Sequence, residues 1–317
     1  MTLKVMTWNL ENLFLPGTKY GPKTKAVYET KLDGLAAVIN EQSPDALAVQ
    51  EVGDDLKVLD DLEGRLNGAW HRHVSTFPDK RGIRVAWLSP RTITAPEDFK
   101  TFPKELKPVQ SDDGKSTVKE MGRGAVAITI TSDAGQDVRM ITAHLKSKLL
   151  EFPGGFTPSD ESERARFAAY ALYRRAAEAA TLRTWVTGVL GGTKPLPVLL
   201  CGDLNDTVQA ATTQLLLGPP GSEINSRGFK TPDKGDGQRL WNLAPLMPPG
   251  RDYSRRDQGR DELIDHILVS QTLVKTVDVT SVGAVLAAPL PSVTADPKAR
   301  QNAPSSDHAP VVATFHV

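Results

Sequence analysis

Five stretches of this 317-residue sequence end an apolar run in side chains able to hold a metal or move a proton: Thr7-Trp8-Asn9-Leu10-Glu11, Val49-Gln50-Glu51, Thr142-Ala143-His144-Leu145-Lys146, Cys201-Gly202-Asp203-Leu204-Asn205-Asp206 and Ser306-Asp307-His308. A sixth, Ile264-Asp265-His266-Ile267-Leu268, places its acid inside the apolar run itself. A carboxylate at a strand end is costly to desolvate unless it is paired or bound to a cation, so the recurrence predicts one shared charged site. Any one cluster alone reads more blandly. Glu51 would be a loop carboxylate, Gly-Asp-x-Asn-Asp is good turn chemistry, and a lone His144 or His308 is more often structural than catalytic. On an extended backbone Asp203 and Asn205, two residues apart, would face the same way. Asp307-His308 is more specific, because it stands just ahead of Pro310 and a closing strand.

The elements that must position these residues follow from periodicity. Strands are predicted at Leu3 to Trp8, Ala46 to Val49, Ile83 to Leu88, Ala125 to Thr131, Val138 to Thr142, Pro197 to Leu200, Leu263 to Val269, Val277 to Val282 and Val311 to Phe315. A helix is expected from Lys25 to Gln42, ended by Pro44. A longer one should start near Ser159 or Asp160, where Glu163 completes a capping pattern, and run to about Val189. Its arginines, Arg164, Arg166, Arg174 and Arg175, read first as a solvated face and second as phosphate contacts. Pro90 to Met121, Gly218 to Gln238 and Pro248 to Asp261 read as rim loops. No internal repeat or low-complexity linker divides the chain, so residues 1–317 are read as one domain. Strands outnumbering singly placed helices favour an α+β fold: a four-layered sandwich of two packed, mainly antiparallel sheets flanked by helices.

Composition sets outer limits. The 38 basic and 38 acidic residues balance, so affinity for a polyanion must come from local patches. One cysteine, Cys201, excludes an internal disulfide framework and suits a reducing compartment. The N-terminal apolar run is too short for a signal segment, and no run reaches the ~18 apolar residues of a membrane span. The expectation is a cytoplasmic protein without a membrane or obligate protein partner.

In kind and in order, the six motifs resemble the endonuclease/exonuclease/phosphatase superfamily, from Thr7 to Val311. That group includes deoxyribonuclease I-like enzymes, exonuclease III-type repair nucleases, neutral sphingomyelinases and inositol-polyphosphate 5-phosphatases. The resemblance implies that Asn9 and Glu51 help hold Mg²⁺, with Mn²⁺ able to substitute, that Asp307 lies nearby, and that Glu11 stands where repair-type members keep an aspartate. It implies that Asp203 positions or deprotonates the attacking water and that Asn205 orients it. His308 would stabilise the phosphorane as a cation, with its tautomer fixed by Asp265. A hard cation held by carboxylate and amide oxygens suits in-line attack on a phosphodiester, and the near absence of sulfur and imidazole ligands disfavours Zn²⁺.

His144 matches the family's second histidine. Pancreatic-type members partner that histidine with a glutamate on a middle strand, yet Gly82 to Trp87 carries no carboxylate. His144 is left as a phosphate ligand or a structurally held imidazole. His266 stands where repair-type members usually carry tyrosine and is read as a structural neighbour.

The sequence Arg260-Asp261-Glu262-Leu263-Ile264-Asp265 lacks the Trp-Cys-Asp-Arg motif of inositol 5-phosphatases, and no hydrophobic docking hairpin of sphingomyelinase type is present. Basic residues beside the motifs, with Lys146, Arg84 and Arg123 as expected phosphate contacts and Arg81, Arg251, Arg255, Arg256 and Arg260 nearby, favour a nuclease acting on DNA or RNA. A phosphatase or phosphodiesterase on a small or lipid phosphoester is the alternative. A catalytically silent nucleic-acid-binding module is the reading from outside enzymology, disfavoured by the intact set Asp203, Asn205, Asp265 and His308.

Overall fold

The computed structural model describes residues 2–152, 155, 160–286, 290–291 and 300–317. Its frame is a pair of six-stranded sheets. In the first, the order is β15 (Val277–Ala284), β16 (Val311–Phe315), β1 (Leu3–Leu13), β2 (Ala46–Val52), β4 (Arg84–Ser89), β3 (His71–Val74). In the second it is β11 (Trp241–Asn242), β14 (Asp265–Val269), β10 (Val198–Asp203), β9 (Asp137–His144), β8 (Glu120–Thr131), β5 (Thr94–Thr101). Every pairing is antiparallel except one at the middle of each sheet, β1 with β2 and β9 with β10.

Those two parallel pairs need crossovers, and the helices supply them. α1 (Lys25–Gln42) joins β1 to β2, and α3 (Glu161–Leu190) joins β9 to β10. Thr24 caps α1 by accepting the Val27 amide, and Ser43, in the left-handed region at φ 46°, ends it just before Pro44. Asp160 caps α3 through the Ser162 amide; Ser159, the other expected start, lies outside the described residues.

Because both faces of each sheet are covered, the strands read as nearly continuous apolar runs, and alternation decides which layer each residue joins. Val5, Ala48, Val85 and Trp87 meet Val126, Met140, Leu199 and Ile267 between the sheets. Met6, Leu47 and Val49 face outward onto Leu32, Leu35 and Ile39 of α1 and Leu59 and Leu62 of α2 (Lys57–Glu63). On the far side, Ala127, Ile141, Val198 and Leu200 pack on Ala177, Leu182 and Val186 of α3 and Leu216 of α4 (Ala211–Leu217). Three apolar interfaces make the four-layered sandwich expected from the sequence. The short α5 (Gln271–Val274) links β14 to β15.

The rim segments are more ordered than the sequence suggests. Pro90 to Met121 carries the edge strand β5, the hairpin β6 (Val109–Gln110) with β7 (Thr117–Val118), and the first residues of β8. Pro248 to Asp261 carries β12 (Arg255–Asp257) and the start of β13 (Arg260–Glu262). β5 escapes notice because it is polar, mostly exposed and contains Pro96, as suits an outer strand. Gly218 to Gln238 contains only short 3₁₀ turns.

Candidate active site

The topology brings the motif-bearing strand ends to one edge. β1 and β2 run parallel and deliver Asn9 and Glu51 together; β9 and β10 do the same for His144 and Asp203, which are register partners. β14 runs back along β10 and sets its first residue, Asp265, opposite Asp203. His308 lies just before β16, the antiparallel neighbour of β1. All of these residues except Glu51 are buried, and Glu51 is half-buried.

Local backbone distortion aims them. The β1–β2 ladder shifts register between Asn9 and Leu13, and the β2–β4 ladder between Val49 and Val52. Glu11, Asn12 and Glu51 take left-handed φ values of 49°, 51° and 60°. Bulges and non-glycine residues in this region cost free energy and concentrate where a side chain must be re-aimed. Gly202 is required by close approach: at φ +142° an added Cβ would lie 2.1 Å from the Ala143 carbonyl oxygen.

Asp203 sits at the centre. Its Oδ2 accepts from Asn9 Nδ2 at 2.9 Å and lies 3.2 Å from His144 Nε2, while Oδ1 accepts the Asn205 amide at 2.9 Å. Asn205 is not aligned by the strand pleat, as its two-residue spacing suggested. β10 ends at Asp203, Asn205 turns back at φ 54°, and its Nδ2 donates to the Leu145 carbonyl at 3.0 Å. Burial first, then the charge of Asp265, pushes the Asp203 carboxyl up to about 7, against the lowering effects of His308 and Asn9. A carboxylate in that range can accept a proton near neutral pH.

His308 has the opposite environment. Its Nδ1 is 2.7 Å from Asp265 Oδ2. Burial disfavours the imidazolium, but the charge and hydrogen bond of Asp265, joined by Asp307 and Asp203, outweigh it and raise His308 to about 10. His144 is held well below the usual imidazole range, by burial first and then by Arg123, His308, Arg81 and Lys146. The site therefore keeps one histidine charged and one neutral. No carboxylate on β4 serves His144; Asp203 is its neighbour instead, and its Nδ1 is buried with no partner among the described residues.

The other expected ligands divide. Glu51 Oε2 accepts the Asn12 amide at 2.8 Å, and its charge reaches Asp203. Asn9 Oδ1 accepts the Glu11 amide at 2.9 Å. Glu11 takes a two-pronged contact from Arg300, at 2.8 and 2.7 Å, and also accepts the Asp307 amide at 3.0 Å. Its carboxylate thus anchors the segment leading to His308. Beneath it the buried Lys31 donates to the Glu11 carbonyl and lies in the field of Glu11, Asp307 and Glu51. Lys31 and Arg300 carry no motif signal.

The expected phosphate contacts divide too. Arg84 is paired with Asp54 at 2.6 Å and donates to the Ser75 carbonyl. Arg123 is paired with Asp79 at 3.1 Å, and Lys146 with Glu151 at 3.1 Å. Arg123, Arg81 and Lys146 nevertheless line a groove of about 750 Å³ beside His144, together with Lys80, Lys100 and Lys119.

A layer of residues that sequence reasoning passed over holds the motifs. On α3, Glu178 accepts the Lys146 amide at 2.6 Å, and Arg175 donates to the Lys146 carbonyl at 3.1 Å and to Asp206 at 3.0 Å. Arg164 and Arg166 do lie on a solvated face, but Arg174 and Arg175 turn inward to Glu178 and Asp206. His266, as expected, is structural: it contacts the Asp206 carbonyl at 2.8 Å and Asn242 at 3.2 Å. Ser306 Oγ joins the Asn9 carbonyl to the His308 amide, and Trp8 Nε1 donates to the His308 carbonyl at 2.8 Å.

Asp203, Asp265 and His308 each offer a ligand atom within 4.8 Å of the others and could bind a metal ion. Asp265 Oδ1, fully buried, has no hydrogen-bond partner among the described residues. A buried anionic oxygen without a donor fits a bound cation, and the carboxylate-rich donor set fits a hard one. Among the described residues no helix is long and apolar enough to cross a membrane.

Comparison with known proteins bears on the family and the fold. The sequence profile of the Endonuclease/Exonuclease/phosphatase family matches residues 6–308. No curated protein resembles the sequence closely enough to count as a relative. Among solved structures, TDP2 from C. elegans is 16% identical with a TM-score of 0.58, covering 100% of this chain and 75% of that one. The human nocturnin catalytic domain is 17% identical with a TM-score of 0.56, covering 99% and 94%. The Bacteroides thetaiotaomicron mannosyl-6-phosphatase is 16% identical with a TM-score of 0.57, covering 98% of each chain. These likenesses establish a shared fold, and the profile match, spanning the residues from β1 to His308, establishes more: the chain belongs to the endonuclease/exonuclease/phosphatase family.

Proposed function

We propose that this protein is a Mg²⁺-dependent phosphodiesterase that hydrolyses nucleic acid, DNA or RNA, with Mn²⁺ able to replace Mg²⁺. The observation that carries the chemistry is the position of Asp203 opposite Asp265, whose Oδ2 lies 2.7 Å from His308 Nδ1: burial raises the Asp203 carboxyl toward neutrality, while Asp265 raises His308 above it. Two titratable groups pushed apart in this way are suited to separate acid and base duties. Asp203 takes the proton of the attacking water, and the His308 imidazolium donates a hydrogen bond to the phosphoryl oxygen on which charge develops. Asp265 holds the ring through Nδ1 and leaves Nε2 for that donation. His144, neutral, lies with Nε2 3.2 Å from Asp203 Oδ2, while Asn9 Nδ2 donates to the same oxygen and orients the carboxylate. Glu51 and Asn9, with Asp203 beside them and Asp307 on the neighbouring segment, are the residues to hold the ion. When bound, it neutralises charge on the phosphoryl group.

The groove favours a polyanionic substrate over a small one: Lys100 is paired there with Glu120 and Arg123 with Asp79, but the basic side chains lining it, Lys80, Arg81 and Lys119 among them, outnumber the acidic ones. The second reading, a phosphatase for a small phosphorylated molecule, draws on the likeness to the mannosyl-6-phosphatase. A substrate panel of supercoiled plasmid, single-stranded DNA, RNA and a sugar monophosphate separates them. Plasmid or oligonucleotide turnover should dominate, with apparent affinity falling steeply between ~50 and ~200 mM salt. Fast turnover of the monophosphate with a flat salt response on nucleic acid would favour the second reading.

A further inference from the structure

Most arginines around the site have internal partners. Arg84 is paired with Asp54, Arg123 with Asp79, Arg175 with Asp206 and Arg300 with Glu11. In the β12–β13 region Arg251 donates to the Ala284 carbonyl, and Arg256 is paired with Asp261 and lies over the Tyr253 ring. Arg255, between them, differs. It is half-buried, and among the described residues its buried Nε has no hydrogen-bond partner and its guanidinium forms no ion pair.

Its position is fixed from several sides. Arg255 forms an isolated antiparallel bridge with His308 and is the register partner of Glu262 on β13. Directly opposed residues of an antiparallel pair project to the same face with their Cβ atoms about 5 Å apart, so the Arg255 side chain leaves the backbone beside the imidazole of His308. The preceding residue ties this strand to Asp265, the carboxylate that positions His308. Ser254 Oγ accepts the amides of Ile264 and Asp265 at 3.2 and 3.1 Å, and its carbonyl accepts the Ala309 amide at 2.7 Å. The backbone that carries Arg255 is thus tied to the strand of Asp265 through Ser254 and to the segment of His308 through its own bridge.

A half-buried guanidinium that finds no acceptor among the described residues keeps its terminal Nη groups for an acceptor supplied by a ligand. An arginine fork matches two phosphoryl oxygens. We propose that Arg255 is a substrate-binding residue that takes a non-bridging oxygen of the scissile phosphate next to His308, an assignment that rests on the phosphodiesterase reading of the site.

The test uses the full chain with Arg255→Met, which keeps an apolar stem and removes the guanidinium. Turnover is measured on bis-p-nitrophenyl phosphate, which has one phosphate, and on an oligonucleotide, which has many. kcat/KM should fall about 10- to 100-fold on both, as expected for loss of a hydrogen bond to a charged group. Tm should stay level or rise, because no internal bond is lost. Arg255→Lys should recover only part of the activity, and added guanidinium should partly rescue Arg255→Ala. Unchanged kcat/KM, or a loss confined to the oligonucleotide, would overturn the assignment to the scissile phosphate. So would a fall in Tm of several degrees without guanidinium rescue, which marks a packing role. If the unaltered chain hydrolyses neither ester, the phosphodiesterase reading fails by itself. Arg255 is then judged by calorimetric binding of inorganic phosphate: loss in Arg255→Met supports the assignment, and equal binding overturns it.

Discussion

Asp203→Asn is expected to lower turnover about 10²- to 10⁴-fold, the range that a positioned general base contributes. The substitution keeps the shape of a side chain that meets Asn9, His144 and the Asn205 amide, while removing the group that accepts the proton. In the unaltered protein the acid limb of kcat/KM should follow Asp203, with bound Mg²⁺ drawing it below the ion-free value of about 7. Activity rises there as Asp203 ionises, burial and the charge of Asp265 having set that ion-free value. The variant should lose that limb along with the rate. A variant that keeps its rate to within tenfold and an unchanged acid limb would remove Asp203 from the proton transfer and leave it a purely structural carboxylate.

The second large effect concerns the pair across the cleft. Asp265→Asn and His308→Ala should each cost about 10²- to 10³-fold in kcat, the scale for losing one donor to a developing oxyanion. The double variant should be little worse than the worse single one, since members of one unit are not additive. The sign of the pH effect follows from the raised value. His308 is charged, and able to donate, below about 10, so activity falls as pH rises through that value. Asp265→Asn removes the largest influence that favours the imidazolium and should move this alkaline limb downward. The same linkage acts on folding. The stability that Asp265 gives the charged ring is fully present below the ordinary value of 6.5 and is lost as pH rises through about 10. An NMR titration of the His308 ring in EDTA reads the shift without turnover. Multiplying losses in the double variant, with the titration unmoved by Asp265→Asn, would separate the two residues.

What could be read from the sequence was the set of side chains whose chemistry is out of place at the end of an apolar strand. Asn9, Glu51, His144, Asp203 and His308 announce themselves in that way and Asp265 by lying inside an apolar run, while strands outnumbering singly placed helices gave the four layers. Their mutual arrangement depends on pairings no local pattern encodes. Arg300 and Glu11 lie 289 residues apart in sequence, and Trp8 and His308 lie 300 apart. The grip of α3 on Lys146 was hidden because Glu178 and Arg175 look like ordinary charged helix residues until the sheet is placed beneath them. The Asp203–Asn205 relation was misjudged by extending the pleat one residue past the end of β10, where the chain turns back. Arg84 and Arg123, chosen for charge and proximity, proved to be paired with Asp54 and Asp79, which sequence distance could not reveal.

The central claim, a metal-dependent phosphodiesterase working through the Asp203–His308 edge, is tested most directly by one measurement on the intact chain. Hydrolysis of bis-p-nitrophenyl phosphate is followed after removal of divalent ions with EDTA and during titration with Mg²⁺, Mn²⁺ or Zn²⁺. Activity should vanish in EDTA, return with Mg²⁺ or Mn²⁺, and return poorly with Zn²⁺, as a ligand set of carboxylate and amide oxygens without sulfur or imidazole dictates. Undiminished hydrolysis in EDTA, or no hydrolysis under any ion, would contradict the account.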